Sequence, residues 1–273
     1  MSQPPKARIF IEGRYKKLVR DLPQTVYFCP DCKGHPRRKE KCERCEGFGK
    51  LTRESVQELI AWPTGKAFGS RKNKFHGAGR EDVDVRMLGT GRPFVLEVLA
   101  PKSFDVDLAQ LEAEINRRNE GRIELSNLHW TEKARVAILK ETPHAKEYEA
   151  LVEYDGEVGD DTLAALVGVR RVVVQHTPSR VAHRRADKDR ERWVEFQLLE
   201  RAGDGLLRVR MKTQHGTYVK EVLSGEDGKT TPSLASLLGV PCRCLELDVT
   251  AILGEEGEPE RTYAAPPVFG AGL

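Results

Sequence analysis

No stretch of the sequence approaches the roughly 20 consecutive apolar residues that a membrane-spanning helix needs. The start, Met1-Ser2-Gln3-Pro4-Pro5, also lacks the apolar run of a secretory signal, so a cytoplasmic protein with no membrane partner is expected. An excess of one charge sign is missing too: 45 Lys and Arg face 42 Asp and Glu, a net charge of +3. That balance excludes a polycation gripping nucleic acid by bulk charge, and any such role must come from where the basic residues lie. No internal repeat is present, which argues against solenoids. Cysteine is scarce, six residues, and in a reducing compartment these are metal ligands or free thiols. What the chain does have is 273 residues at 39% hydrophobic content, enough for one large or two ordinary domains with a packed core.

Four of the cysteines carry the strongest pattern. Cys29-Pro30-Asp31-Cys32 and Cys42-Glu43-Arg44-Cys45 are CxxC knuckles separated by nine residues that hold Gly34, His35 and five Lys or Arg. Each knuckle aims two thiolates at one point, and Cys29, Cys32, Cys42 and Cys45 together complete the closed tetrahedral shell of a structural Zn²⁺, with His35 a substitute ligand. The competing reading is redox chemistry, which normally uses one CxxC at the end of a strand in a thioredoxin-like unit. Two knuckles in a basic, glycine-punctuated loop favour zinc. Cys242 and Cys244, one residue apart, chelate poorly and are taken as ordinary buried or reduced cysteines.

Ala7 to Ile11 suits a short strand, and the segment after it, Gly13 to Arg20, is basic with one aromatic inside. Arg14, Lys16, Lys17 and Arg20 could meet RNA phosphates while Tyr15 stacks on a base; a solvated edge strand fits equally well. Ser55 to Glu58 has the form of a capping box, and Pro63 is expected to stop that helix within two turns. Pro93 to Leu99 is apolar enough for a buried strand. Asp107 caps a helix through Leu108, Leu111 and Ile115, Thr131 caps another, and Asp160 or Asp161 a third that ends at Gly168. Strands are expected at Glu147–Tyr154, at Val172 to Val174 and at Trp193 to Leu198. Leu207, Val209 and Met211 alternate with Arg208, Arg210 and Lys212, a half-buried strand with a basic outer face. Thr231 with Pro232 opens the best-marked helix, over Leu234, Leu237 and Leu238 to Gly239. The most basic stretch runs from Arg170 to Arg192 and includes Arg180, Arg184 and Arg185. A solvated face is its default reading, and phosphate contact is the alternative. Strands interspersed with short capped helices, without regular βαβ alternation, give an α+β class with a mostly antiparallel sheet.

The stretch that organises the rest is Phe75-His76-Gly77-Ala78-Gly79-Arg80-Glu81-Asp82-Val83-Asp84-Val85-Arg86. Gly77 and Gly79 permit positive φ and close approach to a ligand, and Arg80 offers a five-donor fork two residues before Asp82. Alone, this is as well read as an ordinary acidic turn.

Three separated motifs in order resemble the pseudouridine synthases, in particular the archaeal and eukaryotic tRNA pseudouridine synthases of the Pus-ten type. Gly79 to Arg86, followed by Leu88-Gly89-Thr90-Gly91-Arg92-Pro93-Phe94, is similar to that family's catalytic loop, which makes Asp82 the catalytic aspartate. Lys146-Glu147-Tyr148 with Ala150 resembles the second motif, whose tyrosine lies against the target base. Lys212-Thr213-Gln214 with Gly216-Thr217-Tyr218-Val219-Lys220-Glu221 resembles the third, whose basic residue, Lys220, pairs with the aspartate, and Leu237 falls in the helix lining the pocket. The resemblance runs from about Gly13 to Asp248. It implies a pseudouridine synthase fold with a small N-terminal zinc-knuckle insertion, no organic cofactor, tRNA as partner without an obligate protein partner, and uridines 54 and 55 of the T arm as targets. Family members usually carry an additional N-terminal RNA-binding THUMP domain, which this sequence is expected to lack. The cysteine knuckles and the basic stretches, Arg14, Lys16, Lys17 and Arg180 to Arg192 with Arg184 and Arg185 among them, then carry more of the tRNA grip, and Arg80 binds substrate beside the catalytic loop.

The chemistry agrees with one positioned carboxylate. Isomerising uridine breaks a glycosidic C–N bond and makes a C–C bond to the same ring, with no redox change and no activated donor. The target base must leave its stack, at a cost of a few kcal/mol, and Tyr148 offers a surface to receive it; its bland reading is a core aromatic. Two other classes compete. A non-catalytic zinc-containing RNA-binding protein would not require Asp82, Tyr148 and Lys220 together. A carboxylate-using hydrolase would need a second acid, and Asp84, on the opposite strand face, is the near candidate. The expected organisation is a basic, knuckle-bearing segment over residues 1–53, a catalytic domain over 54–253 and a mobile tail over 254–273.

Overall fold

The computed structural model describes residues 7–254, which divide after Thr142 into two compact units. All but residue 254 of the expected tail lies outside the described residues. The class is α+β and the strand pairings in both units are antiparallel, as the sequence pattern implies.

The first unit contains, in chain order, β1 (Arg8–Lys17), α1 (Pro36–Lys39), α2 (Val56–Ala67), β2 (Lys72–Gly77), β3 (Arg86–Leu99), α3 (Leu108–Arg118), β4 (Ile123–Thr131) and α4 (Lys133–Glu141). Strand β1 lies between β4 and β3, and β2 pairs with the second half of β3. The expected boundary at residue 53 is therefore not where the chain divides, because β1 is a central strand of this unit and the knuckle is inserted between it and α2. Period-2 alternation along β1 sends Ile9, Ile11, Tyr15 and Lys17 to one buried face. Strand β3 runs apolar without alternation, Phe94, Val95, Leu96 and Val98 all being buried. Such a strand needs cover on both faces. Leu139 of α4 packs on Val95 with Phe10 and Val136 beside it, while Phe94 stacks on Phe75 with ring centroids 5.2 Å apart.

Four helix starts and stops differ from the sequence reading. Pro63 sits inside α2, which runs on to Ala67: Ser55 accepts from the Glu58 N–H at the start, and Pro63 is itself buried, so packing offsets the lost helical hydrogen bond. Thr131 does not cap α4; it is the last residue of β4, and its hydroxyl reaches Glu12. The longer reach of β4 consumes the residue that local chemistry assigns to the cap.

The second unit contains β5 (Lys146–Tyr154), α5 (Asp160–Leu166), β6 (Arg170–Gln175), β7 (Arg190–Gly203), β8 (Leu206–Thr213), α6 (Val219–Ser224), β9 (Thr230–Thr231), α7 (Leu234–Leu238) and β10 (Cys242–Ile252). Their order is β9-β6-β7-β8-β5-β10. Leu207, Val209 and Met211 of β8 are fully buried, and the basic outer face is partly neutralised by Glu149 on β5, 2.6 Å from Arg210 and 3.9 Å from Arg208. Here the third difference appears. Thr231 pairs with Val174 in β9, and Ser233 caps α7 in a reciprocal box with Ser236. Neither Asp160 nor Asp161 caps α5, whose cap is Gly159; Asp160 pairs with Arg201 instead.

Candidate active site

Asp82 lies in the loop between β2 and β3, half-buried, in a turn closed by the Val85 N–H on the Asp82 carbonyl at 3.1 Å. Strand alternation therefore does not apply to Asp84, because β3 begins only at Arg86; Asp84 is exposed by the turn itself. Arg80 is exposed on the same loop. Gly79 takes φ +76°, as its role in the loop requires, whereas Gly77 has no positive φ and closes β2. A side chain at Gly77 would place its Cβ 2.9 Å from Gln24 Nε2, so this glycine serves close packing.

Beneath the loop is a buried polar network. Glu81 and Arg92 form an ion pair at 2.8 Å with side-chain exposures of 0% and 1%. Tyr15 donates its hydroxyl to Glu81 at 2.9 Å and accepts from Gln24 at 2.8 Å. Burial, and then the Glu81 carboxylate, hold the Tyr15 phenol proton well above its ordinary range, so it stays a donor. The remaining donors are spent on the loop backbone. Arg92 Nη1 reaches the Ala78 carbonyl at 2.6 Å, Gln24 that of Gly79 at 3.0 Å, and Arg20 that of Asp84 at 3.0 Å. Lys17 Nζ takes the carbonyls of Leu22, Asp82 and Val83 at 2.7, 3.2 and 3.0 Å. Burial draws its ammonium down to about 8 against the pull of Glu81 and Asp84. The backbone that carries Asp82 is thus held from below by four side chains.

This corrects two readings of the basic segment. Lys17 is not a phosphate ligand and Tyr15 is not a stacking surface; both are completely buried on the inner face of β1. Arg14 donates to the Thr90 and Gly91 carbonyls, and Lys16 pairs with Glu124 at 3.0 Å. Sequence reasoning gave Glu81, Arg92 and Gln24 no role, although Glu81 and Arg92 stand in the catalytic-loop motif. Glu81 is flanked by Arg80 and Asp82, and a carboxylate in such company reads as solvated.

Tyr148, Lys220 and Leu237 belong to the second unit. Tyr148 stands half-buried on β5, opposite Met211 of β8 and Val249 of β10. From the end of β8 the chain passes Gly216 into α6, which carries Lys220, and α6 packs on α7, which carries Leu237. Gln175 fixes that turn by bonding both the N–H and the carbonyl of Tyr218, at 2.8 and 2.9 Å. In the basic stretch, Arg180 forms a two-bond pair with buried Glu221, and Arg190 is tied to Thr177 and the Lys188 carbonyl. Arg185 is exposed, and the side chain of Arg184 lies outside the described residues.

The four knuckle cysteines converge. Their Sγ atoms lie within 4.8 Å of one another, with Cys29 to Cys42 and Cys32 to Cys45 both at 3.7 Å. Metal–sulfur bonds of about 2.3 Å at tetrahedral angles separate sulfurs by about 3.8 Å, so the donor set fits one ion. Without an ion the thiols differ: the Cys32 backbone N–H, the main cause, pulls the Cys29 thiol down to about 7, burial raises that of Cys32, and that of Cys42 is raised to about 11. Cys242 is pushed up to about 11 by burial and is an ordinary protonated thiol.

A sequence model of the family described as Pus10, C-terminal, matches residues 10–253. The chain belongs to this family. It is 48% identical over 253 residues to the tRNA pseudouridine synthase Pus10 of Methanothermobacter marburgensis, covering 92% of this chain and 60% of that one. It is 45% identical over 246 residues to that of Methanocaldococcus jannaschii, covering 89% and 53%. The chain thus spans between about half and three-fifths of the length of these relatives. Among solved structures, a Cbf5-Nop10-Gar1 complex is similar at a TM-score of 0.41 and 19% identity, over 72% of this chain and 45% of that one. Among the described residues no helix is long and apolar enough to cross a membrane.

The buried pair gives the first testable outcome. Glu81→Gln leaves Arg92 buried without its counter-charge and should destabilise the protein by about 3–5 kcal/mol, whereas Glu81→Gln combined with Arg92→Met should recover much of that loss. Urea denaturation followed by circular dichroism measures both, and a double variant no more stable than the single one would contradict the pairing.

Proposed function

We propose that the chain isomerises uridine to pseudouridine in cytoplasmic tRNA, in the T arm at position 54, 55 or both, with Asp82 as the catalytic carboxylate. Membership of the Pus10 C-terminal family supports the reaction class. The observation that carries the residue assignment is the clamped loop: a half-buried carboxylate on a backbone fixed by buried donors is already positioned, and positioning is where much of a catalytic advantage arises. In the reaction the bond from the sugar C1′ to N1 breaks and a bond from C1′ to C5 forms; N1 gains a proton and C5 loses one. Tyr148 receives the extruded base, Lys220 supplies the counter-charge to Asp82, Leu237 lines the pocket, and Arg80 binds substrate phosphate beside the reacting nucleotide.

Phosphate contact away from the loop falls to cations that the fold leaves unengaged. Arg71, Lys72, Lys102 and Lys133 rim a groove of about 1020 Å³ in the first unit, and among the described residues none of them pairs with a carboxylate. Arg185 adds to this set; Arg14 and Lys16 contribute through their outer edges. Cys29, Cys32, Cys42 and Cys45 hold a structural Zn²⁺, which shapes the knuckle and takes no part in the chemistry.

Asp82→Asn should abolish tritium release from C5-labelled uridine in T-arm tRNA while leaving tRNA binding nearly unchanged. Tyr148→Phe should be milder than Tyr148→Ala, and Lys220→Met should lower the rate. A wild-type protein that binds tRNA and releases no tritium would instead be the non-catalytic RNA-binding protein. The phosphate contacts predict a steep loss of affinity with salt, and Lys72→Gln with Lys102→Gln should lower the slope of log K against log salt by about 0.7–0.9 per charge. Elemental analysis should find about one zinc per chain, and a chelator that strips it should lower the melting temperature; full stability without metal would refute the zinc site.

A further inference from the structure

Three aromatic side chains stand in solvent on or beside the cysteine knuckle: Tyr27 is 47% exposed, Phe28 54% and Phe48 51%. Phenylalanine gains most when buried, so two exposed rings within 21 residues call for a ligand. Their mounting is specific. Phe28 pairs with Lys50 in an isolated antiparallel bridge, and Phe48 lies two residues before Lys50. Lys50 Nζ lies 5.3 Å over the Phe48 ring, and is itself held by Glu58 at 2.6 Å and the Arg53 carbonyl at 2.8 Å. Phe28 rests on Gly34, where a Cβ would come 2.6 Å from the ring, so only glycine leaves room for it. Each ring is therefore backed on one side and open on the other. Around them Lys33, Arg37, Arg38 and Lys41 are exposed, and among the described residues none pairs with a carboxylate.

We infer that the knuckle is a stacking site for unpaired nucleotides of RNA, with Phe28 and Phe48 as the base-binding faces and the surrounding cations on the phosphates. Flat rings set among cations are what a single strand recognises, since every base has a π face and every linkage a charge. A second copy of the chain is disfavoured as occupant, because the knuckle from Asp31 to Glu46 holds six Lys or Arg against four Asp or Glu, and pairing this surface with itself would bring like net charge together. The inference rests on the reading that the substrate is RNA, yet it concerns binding and not the isomerisation.

The test uses the full chain carrying Asp82→Asn and two probes, an octamer of uridylate and an RNA duplex without loops. Phe28→Leu and Phe48→Leu keep apolar bulk but lose the flat ring. Each should weaken octamer binding about ten-fold, leave duplex binding and the salt slope unchanged, and leave the melting temperature in place. Phe48→Trp should restore affinity, and its fluorescence should be quenched by saturating octamer. Octamer binding as in the parent, equal losses on octamer and duplex, or a tryptophan indifferent to RNA would each overturn the proposal, as would a dimer in sedimentation that Phe28→Leu dissolves. If the wild-type chain forms no pseudouridine but the Leu variants lose octamer binding, the isomerase reading fails and the stacking site stands. If pseudouridine forms and octamer binding is unaffected, the reverse holds.

Discussion

The ion pair between Glu81 and Arg92 is the constraint on which the arrangement of the first unit depends. Two charges withdrawn from water carry a desolvation penalty of several kcal/mol each, and their attraction offsets it only if the remaining donors and acceptors are also satisfied. They are: Tyr15 completes the carboxylate and the Ala78 carbonyl takes a further guanidinium donor. Because Glu81 is pulled fully inward, its neighbour Asp82 is delivered to the surface of the same loop at a fixed height. The inner residue is structural, and the half-buried carboxylate beside it stands on a backbone that the same network holds. A loop resting on apolar packing alone would be less well defined, since such contacts have no preferred direction.

The basic residues show how far sequence composition misleads about surface charge. Most of the conspicuous cations are already engaged by partners within the chain. Lys17 and Arg20 hold loop carbonyls, Arg180 neutralises buried Glu221, and Arg208 and Arg210 share Glu149. The cations left over are less conspicuous in sequence. Lys72, Lys102 and Lys133 are far apart along the chain and meet at one groove only through strand pairing and the start of α4. Charge runs mark the amount of cation, and partners decide whether it faces a ligand.

The α+β class, the long β5, the alternation of β8 and the convergence of four cysteines were all legible, because each rests on short-range spacing that the fold preserves. What failed depended on long-range partners. Lys17 continues the inward register of Ile9, Ile11 and Tyr15, a period visible in the sequence but obscured when Gly13 is taken as a break. Pro63 looks like a stop until its burial against the rest of the unit is known. Thr231 and Ser233 are both acceptable caps, and only the pairing of Thr231 with β6 removes the ambiguity. For the candidate site, the three motifs carry Asp82, Tyr148 and Lys220, but nothing local distinguishes Glu81 as the buried member of an acidic pair.

The knuckle begins and ends at almost the same point. The Leu51 N–H bonds the Tyr27 carbonyl at 2.8 Å, and the Cys29 N–H bonds the Gly49 carbonyl at 3.0 Å. Everything between these residues therefore hangs from a neck two hydrogen bonds deep, and the distance from β1 to α2 does not depend on what the neck encloses. In evolutionary terms the segment is a cassette. It can lengthen, shorten or exchange its exposed side chains without altering the span that the surrounding scaffold has to close, so its surface can diverge while the rest of the unit stays fixed.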